Sequence, residues 1–186
     1  MTIKSGEYTD SELIKIFHDP GKKEYAFNLM VQRYKVRLYW HIRKILIDHD
    51  DSDDILQETF LKAWRGLETF REESTLFTWL YRIATNESLT FLRRKRRHNI
   101  FSLNRIENSL AESLEADTYF NGDALQKKLQ RAILALPEKQ RLVFNMKYYD
   151  ELKYEEMADI LETSIGSLKA SFHHAVKKIE KYLSDD

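Results

Sequence analysis

An all-α protein, two small helical domains joined by a flexible linker, is what this sequence predicts, and three observations carry that reading. Its 186 residues hold two prolines and five glycines, so helical patterns run long without a breaker. Apolar residues recur three or four apart along most of the chain, the helical period, and no stretch alternates as a strand does. Between about 98 and 122 the periodicity lapses into Asn, Ser, Glu and a Gly, which marks a linker and a boundary. The resulting division is 1–97, 98–122 and 123–186.

Taken in order, residues 10–18 form a short helix with Leu13, Ile14 and Phe17 inward, broken at Pro20-Gly21. The next helix runs from about 22 to 47, where Phe27, Met30, Val31, Tyr34, Leu38, Ile42 and Ile45 make one stripe. The acidic cluster DHDDSDD ends it and offers Asp51 or Ser52 as the cap of the next helix, because a short side-chain oxygen accepts the orphan N–H groups. That third helix covers about 53–67, with Ile55, Leu56, Phe60, Ala63, Trp64 and Leu67 on one side. The polar loop 69–74, TFREES, ends in a cap candidate, Ser74. A fourth helix, about 75–96, puts Leu76, Leu80, Ile83, Ala84, Leu89 and Phe91 or Leu92 inward. It finishes in the cations Arg93, Arg94, Lys95, Arg96 and Arg97, which suit a helix C-terminus.

The second block opens near 123 with a stripe of Leu125, Leu129, Ile133 and Leu136, ended by Pro137. A helix over 138–149 carries Leu142, Val143, Met146 and Tyr149 or Tyr148. Residues 154–161 form a short helix, Glu162-Thr163-Ser164 a tight turn, and 165–183 a longer helix with Leu168, Phe172, Ala175, Val176 and Ile179 inward. Short helix, three-residue turn and longer helix make the helix-turn-helix pattern. Ala158 fits the close crossing of its helices, and the turn calls for a left-handed residue at Glu162, which costs a non-glycine ~1 kcal/mol or more.

Composition removes several classes of function. Formal net charge is zero, so any attraction to nucleic acid is local. With no cysteine there is no disulfide framework, thiolate metal site or cysteine nucleophile. The N-terminus lacks the apolar core of a signal peptide, and no apolar run approaches the ~20 residues of a membrane span. The expectation is a cytoplasmic protein without membrane insertion. Read as an EF-hand from Asp48, the acidic cluster has Asp53 where Gly belongs and Thr59 where Glu belongs, so capping and a wet acidic face account for it better. His173 and His174 point about 100° apart on a helix and make a poor metal pair. No glycine-rich phosphate loop, zinc-protease motif or nucleophile–base pair is present. The sequence offers no case for an enzyme, a cofactor or a metal.

What remains is binding chemistry. The exposed side of the last helix offers Ser167, Lys169, Ala170, His173, His174 and Lys177, and such a helix either enters a major groove or packs as a plain hairpin on a partner. It carries no arginine, which points to weak intrinsic affinity. The run 93–97 is either a solvated helix end or a phosphate-neutralising strip. Its company favours the second, since Phe70, Phe77, Trp79, Tyr81 and Asn86 lie a few turns upstream. Rings beside cations make a platform for unpaired bases at ~1–3 kcal/mol per stacked base. Rings at helical spacing are also core material; Phe70, in a polar loop, is the best exception.

These residues are recognisable. DDILQETFLKAWRGLETFREESTLFTWLYRIATNESLTFLRRKRR closely resembles conserved region 2 of the extracytoplasmic-function (group 4) RNA polymerase sigma factors. LPEKQRLVFNMKYYDELKYEEMADILETSIGSLKASFHHAVKKIEKYL resembles their region 4, and no room is left for a region 3 domain. The resemblance implies a factor that binds core RNA polymerase through its largest and second-largest subunits, recognises promoter DNA and promotes strand opening. It implies that Asp53, Asp54, Gln57, Glu58 and Leu61 meet the clamp coiled coil of the largest subunit. Phe70 and Asn86 would hold a base flipped from the −10 element, with Trp79 mostly structural, and Arg93, Arg94, Arg96 and Arg97 would hold phosphates. Lys169, Ala170, His173 and His174 would read the −35 element. The linker would thread the polymerase cleft, where Glu107, Glu112, Glu115 and Asp117 would mimic nucleic acid, and an anti-sigma factor is a further implied partner. Five positions depart from the family pattern: Glu72 and Glu162 stand where glycine is frequent, and Ser171, His174 and Val176 where arginines are common. A stand-alone helix-turn-helix regulator and a purely protein-binding adaptor are the alternatives. The first leaves 53–97 unexplained, and the second leaves the aromatic loop beside five cations unexplained.

Overall fold

The computed structural model describes residues 8–98 and 124–184, and among these the chain is helical throughout, with no strand. Helix α1 (Asp10–Phe17) starts in a capping box: the Thr9 hydroxyl accepts from the Glu12 N–H, and the Glu12 carboxylate accepts from the Thr9 N–H. Helix α2 (Lys23–Leu46) ends where Ile47 turns left-handed at φ 66°. Helix α3 (His49–Gly66) begins four residues before the sequence expectation. Asp48, not Asp51 or Ser52, is its cap, accepting from the Asp51 N–H at 2.9 Å. The acids behind it then fall inside the first turn, where the helix dipole favours them. A short 3-10 turn, Leu67–Thr69, leads into the loop before α4 (Leu76–His98). There Thr75 rather than Ser74 takes the Thr78 N–H, at 3.1 Å.

Helices α1 to α4 close around Leu13, Phe17, Leu38, Ile42, Leu80 and Tyr81, all buried. Tyr81 is therefore core and not part of any base platform. Helix α3 packs on α4, and both bury small side chains: Ser52, Thr59 and Ala63 on one, Ala84, Thr85 and Ser88 on the other. The hydroxyls of Thr59, Thr85 and Ser88 each donate to the carbonyl four residues earlier, so none of these buried hydroxyls is orphaned.

The second block holds α5 (Ala124–Leu134), α6 (Glu138–Tyr148), α7 (Tyr154–Leu161) and α8 (Ile165–Ser184). The expected stripes need correction here. Leu125 is 65% exposed, and Tyr148 and Tyr149 are exposed rather than inward. Helix α6 instead buries every residue from Arg141 to Met146. It lies between α8 on one side and α2 on the other, so no single stripe describes it.

That sandwich joins the two blocks. Val143, Met146, Leu152, Met157 and Ile160 belong to the same buried apolar cluster as Leu38, Ile42 and Leu80. A smaller cluster of Ala132, Ile133, Leu136, Phe144, Ala175 and Ile179 ties α5, α6 and α8 to one another. Of the expected linker only His98, the last residue of α4, lies within the described residues; Glu107, Glu112, Glu115 and Asp117 lie outside them. No helix among the described residues is long and apolar enough to cross a membrane.

Candidate nucleic-acid interface

The loop between α3 and α4 forms one wall of a hollow of about 410 Å³. Phe70 leaves the 3-10 turn in an extended conformation and lies against Trp79, their centroids 4.8 Å apart and their planes 36° off parallel. Gly66 makes this stacking possible: a Cβ there would stand 2.8 Å from the Trp79 ring. The loop turns on Glu72 at φ 55°, the left-handed conformation that the frequent glycine adopts without strain. Its carboxylate accepts from the Ser11 hydroxyl at 3.2 Å, which anchors the loop to α1. Arg71 and Arg82 also line the hollow. Its lining is mainly polar, with two arginines and Glu73 around the Phe70–Trp79 pair, which offers a ring face for a base and cations for its phosphates.

The sequence-expected residues distribute around it as follows. Phe70 is a wall of the hollow and half-buried. Trp79, expected to be structural, is the opposite ring of the same wall. Asn86 is exposed on α4, one turn beyond Arg82 and on the same helical face as Trp79. Farther along α4, Arg93, Arg94 and Arg97 are exposed. Lys95 within that run is not available in the same way, because its ammonium pairs with Asp51.

On α8 the expected reading face is open. Lys169, Ala170, His173, His174 and Lys177 are all exposed, while Ser167 is half-buried and its hydroxyl accepts from Lys139 at 3.4 Å. Glu162 turns at φ 50°, ψ 47°, the left-handed geometry the turn calls for. Ser164 then caps α8 by accepting from the Ser167 N–H at 3.2 Å. The His173 and His174 rings are 5.9 Å apart and tilted by 57°.

The outer face of α3 presents Asp54, Gln57 and Leu61 to solvent, Leu61 being 52% exposed; Asp53 and Glu58 are half-exposed. Asp53 lies 3.7 Å from His49, and Lys62 ties α3 to Glu87 of α4 at 2.6 Å. Beside this face, Val36 (57% exposed) and Trp40 of α2 line a shallow depression with Leu56 and Asp53. Sequence reading missed both. The available signal was two apolar residues four apart, off the Tyr34–Leu38–Ile42 stripe.

Polar contacts across the two blocks were invisible in the sequence. His41, buried on α2, hydrogen-bonds Asp150 through Nδ1 at 2.9 Å and the Thr85 hydroxyl through Nε2 at 2.8 Å. Lys44 pairs with the other Asp150 oxygen, and the Asn145 amide donates to the Lys44 carbonyl at 3.2 Å. Burial opposes ionisation of Asp150, but the His41 hydrogen bond and the His41 and Lys44 charges outweigh it and hold the carboxyl below the usual aspartate range. Arg82 donates to the Asp159 carbonyl of α7 at 2.6 Å and stands 3.7 Å from Glu162.

Comparison with known proteins matches this layout. A family model for Sigma-70 region 2 matches residues 30–98, and one for Sigma-70, region 4 matches residues 126–179. The ECF RNA polymerase sigma-E factor of Haemophilus influenzae is 31% identical over 183 residues, covering 94% of this chain and 95% of that protein. Its counterpart in Escherichia coli K12 is 30% identical over 191 residues, covering 95% of each. Among solved structures, CnrH in complex with the cytosolic domain of CnrY superposes with a TM-score of 0.69 at 22% identity, over 95% of this chain and 98% of that one. The sigma factor RpoE in complex with the anti-sigma factor NepR from Bartonella quintana gives 0.66 at 21%, over 86% and 98%. The structural likenesses carry the fold, and the relatives aligned over nearly their whole length carry the rest: this chain belongs to the extracytoplasmic-function family of RNA polymerase sigma factors.

Proposed function

We propose that this sigma factor brings core RNA polymerase to promoters by reading the −10 element with residues 1–97 and the −35 element with residues 123–186, joined by the linker 98–122. The exposed face of α3, with Asp53, Asp54, Gln57, Glu58 and Leu61, meets the clamp coiled coil of the largest polymerase subunit, and Val36 and Trp40 extend that surface onto α2. The Phe70 hollow takes a base extruded from the −10 element, and Asn86 borders it. Arg93, Arg94, Arg96 and Arg97 neutralise the adjoining phosphates. Helix α8 enters the −35 major groove with Lys169, Ala170, His173 and His174 toward the base edges, and Ser167 and Lys177 toward the backbone.

The observation that carries this reading is the hollow, where two rings in contact with each other stand beside two arginines. A protein-only adaptor has no use for that combination, whereas single-stranded DNA does. Zero net charge and a reading helix without arginine fit a factor whose two weak DNA modules gain avidity only on a polymerase scaffold. The chain acts by binding alone, in the cytoplasm where polymerase works, and the fold shared with RpoE bound to NepR supports an anti-sigma factor as its regulator.

Run-off transcription with purified core polymerase on genomic promoter fragments tests it. Specific initiation dependent on the added chain is the expected result. Tight duplex binding without polymerase would instead mark a stand-alone regulator, and neither activity would mark an adaptor.

A further inference from the structure

Away from the hollow at Phe70, a partly enclosed cavity of about 160 Å³ lies between α2 on one side and α5 and α6 on the other. Ile47, Ile133 and Asn145 are buried and make its floor, whereas Trp40 and Tyr149 are exposed and stand at its mouth. The Gln130 amide donates to the Tyr149 hydroxyl at 3.2 Å, which braces that mouth. The floor is apolar except for one group. Asn145 is only 3% exposed, and its amide nitrogen donates to the Lys44 carbonyl at 3.2 Å. No group among the described residues donates to its Oδ1, so the cavity holds one buried acceptor without a partner. A buried acceptor left unmatched is costly. A single water would satisfy it but leave the Ile47 and Ile133 faces short of contacts. Apolar space of about 150 Å³ is enough for a benzene ring, and a ring carrying one donor satisfies both. Charge narrows the class further. The Lys44 ammonium stands 5.3 Å from the Tyr149 ring centroid and disfavours a second cation. A carboxylate would set its oxygens against Asn145 Oδ1.

We propose that this cavity is a binding site for a small, neutral aromatic molecule with one N–H or O–H donor, of the indole or phenol class. The donor meets Asn145 Oδ1, the ring lies on Ile47, Ile133 and Leu134, and its outer edge rests at Trp40 and Tyr149. The site goes beyond promoter binding and does not depend on it, since none of its residues lines the Phe70 hollow or belongs to the reading face of α8. Its walls come from both blocks, so a bound molecule touches both and stabilises the folded chain in proportion to its occupancy.

The test uses the full chain without polymerase, titrated in a calorimeter with indole and with indene, which has nearly the same shape and no donor. Indole is expected to bind one-to-one and to raise the thermal unfolding midpoint. Indene should bind about 2- to 10-fold more weakly, the factor for one neutral hydrogen bond. Benzoate and benzylamine should bind more weakly than either. Asn145→Leu should lower indole affinity to the level of indene while leaving indene unchanged, and indene binding then reports that the cavity still folds. Leu134→Trp, at a half-buried position of the wall, should fill the space and abolish binding of both. No binding of indole by the unaltered chain overturns the inference, and so does indole binding that survives Leu134→Trp. Indene binding as tightly as indole removes the donor contact and with it the proposed ligand class. Tighter binding of benzoate or benzylamine than of indole overturns the neutral class as well.

Discussion

The hollow at Phe70 and the outer face of α8 are both candidate DNA surfaces, and they are built in opposite ways. The hollow is concave, and its shape depends on its surroundings: a ring pair that only Gly66 admits, a loop held at the left-handed Glu72, and an arginine engaged by the other block. The α8 face is convex and open, with Lys169, His173, His174 and Lys177 exposed on a regular helix. One surface is preorganised by packing and sensitive to shape. The other is charge displayed on a rod and sensitive to salt. Changes in the two should therefore register in different measurements.

The largest expected effect is at the ring pair. Phe70→Ala removes one stacking partner, worth ~1–3 kcal/mol, or roughly 5- to 150-fold in strand opening. Permanganate reactivity of promoter thymines should fall by that factor while binding to core polymerase stays intact. Normal reactivity would show that the loop does not hold a base.

Gly66→Ala sharpens the same point through shape alone. A Cβ at 2.8 Å from the Trp79 ring forces that ring to move, at about 1–3 kcal/mol. Denaturant unfolding should show the loss in stability, and opening should fall without any change in charge. If opening is unchanged, the hollow does not depend on its ring geometry and the contrast with α8 collapses.

On the α8 side the effects are smaller. Lys169→Ala and Lys177→Ala should each reduce the salt dependence of duplex binding by the polymerase complex by about 0.9 in slope, with stability unaffected. A slope unchanged by either substitution would take these lysines off the phosphates.

Smaller still is the loop backbone. Glu72→Gly relieves a left-handed residue worth about 1 kcal/mol, offset in part by the lost hydrogen bond to Ser11. A gain of a few tenths of a kcal/mol in denaturant unfolding is expected, and a loss would mean that the Ser11 contact outweighs the strain. Asp150 adds a pH dependence of known sign. Its folded carboxyl lies below the unfolded value, so its contribution is fully present above the ordinary aspartate range and is lost as pH falls through the lower folded value. Denaturant unfolding followed as pH falls through the acid range should show this contribution disappearing, and Asp150→Ala should not show that loss.

Sequence reading recovered the helices well, since each needs only local periodicity and a breaker. It placed α1, α2, α7 and α8 within a residue or two of their observed ends. It erred where several short polar residues compete for one job, taking Asp51 or Ser52 as the cap when Asp48 does it and Ser74 when Thr75 does. It also erred on α6, whose stripe was read as one-sided when packing between α2 and α8 buries a whole run. For the hollow, Phe70 was legible because an aromatic residue in a polar loop lacks a local packing reason. Tyr81 was not separable from it by spacing, and Arg82 was hidden because arginine on a helix is ordinarily a solvated residue.

By itself, then, the sequence determined the all-α class, the helix-turn-helix, the acidic and basic faces and the family, because periodicity, capping chemistry and motif order are local properties of a chain. Only the tertiary structure decided that Trp79 faces Phe70, that His41 meets Asp150 across 109 positions, and that α7 covers Arg82. Those contacts join residues far apart in the chain, and their geometry depends on how whole helices cross, which no local pattern encodes.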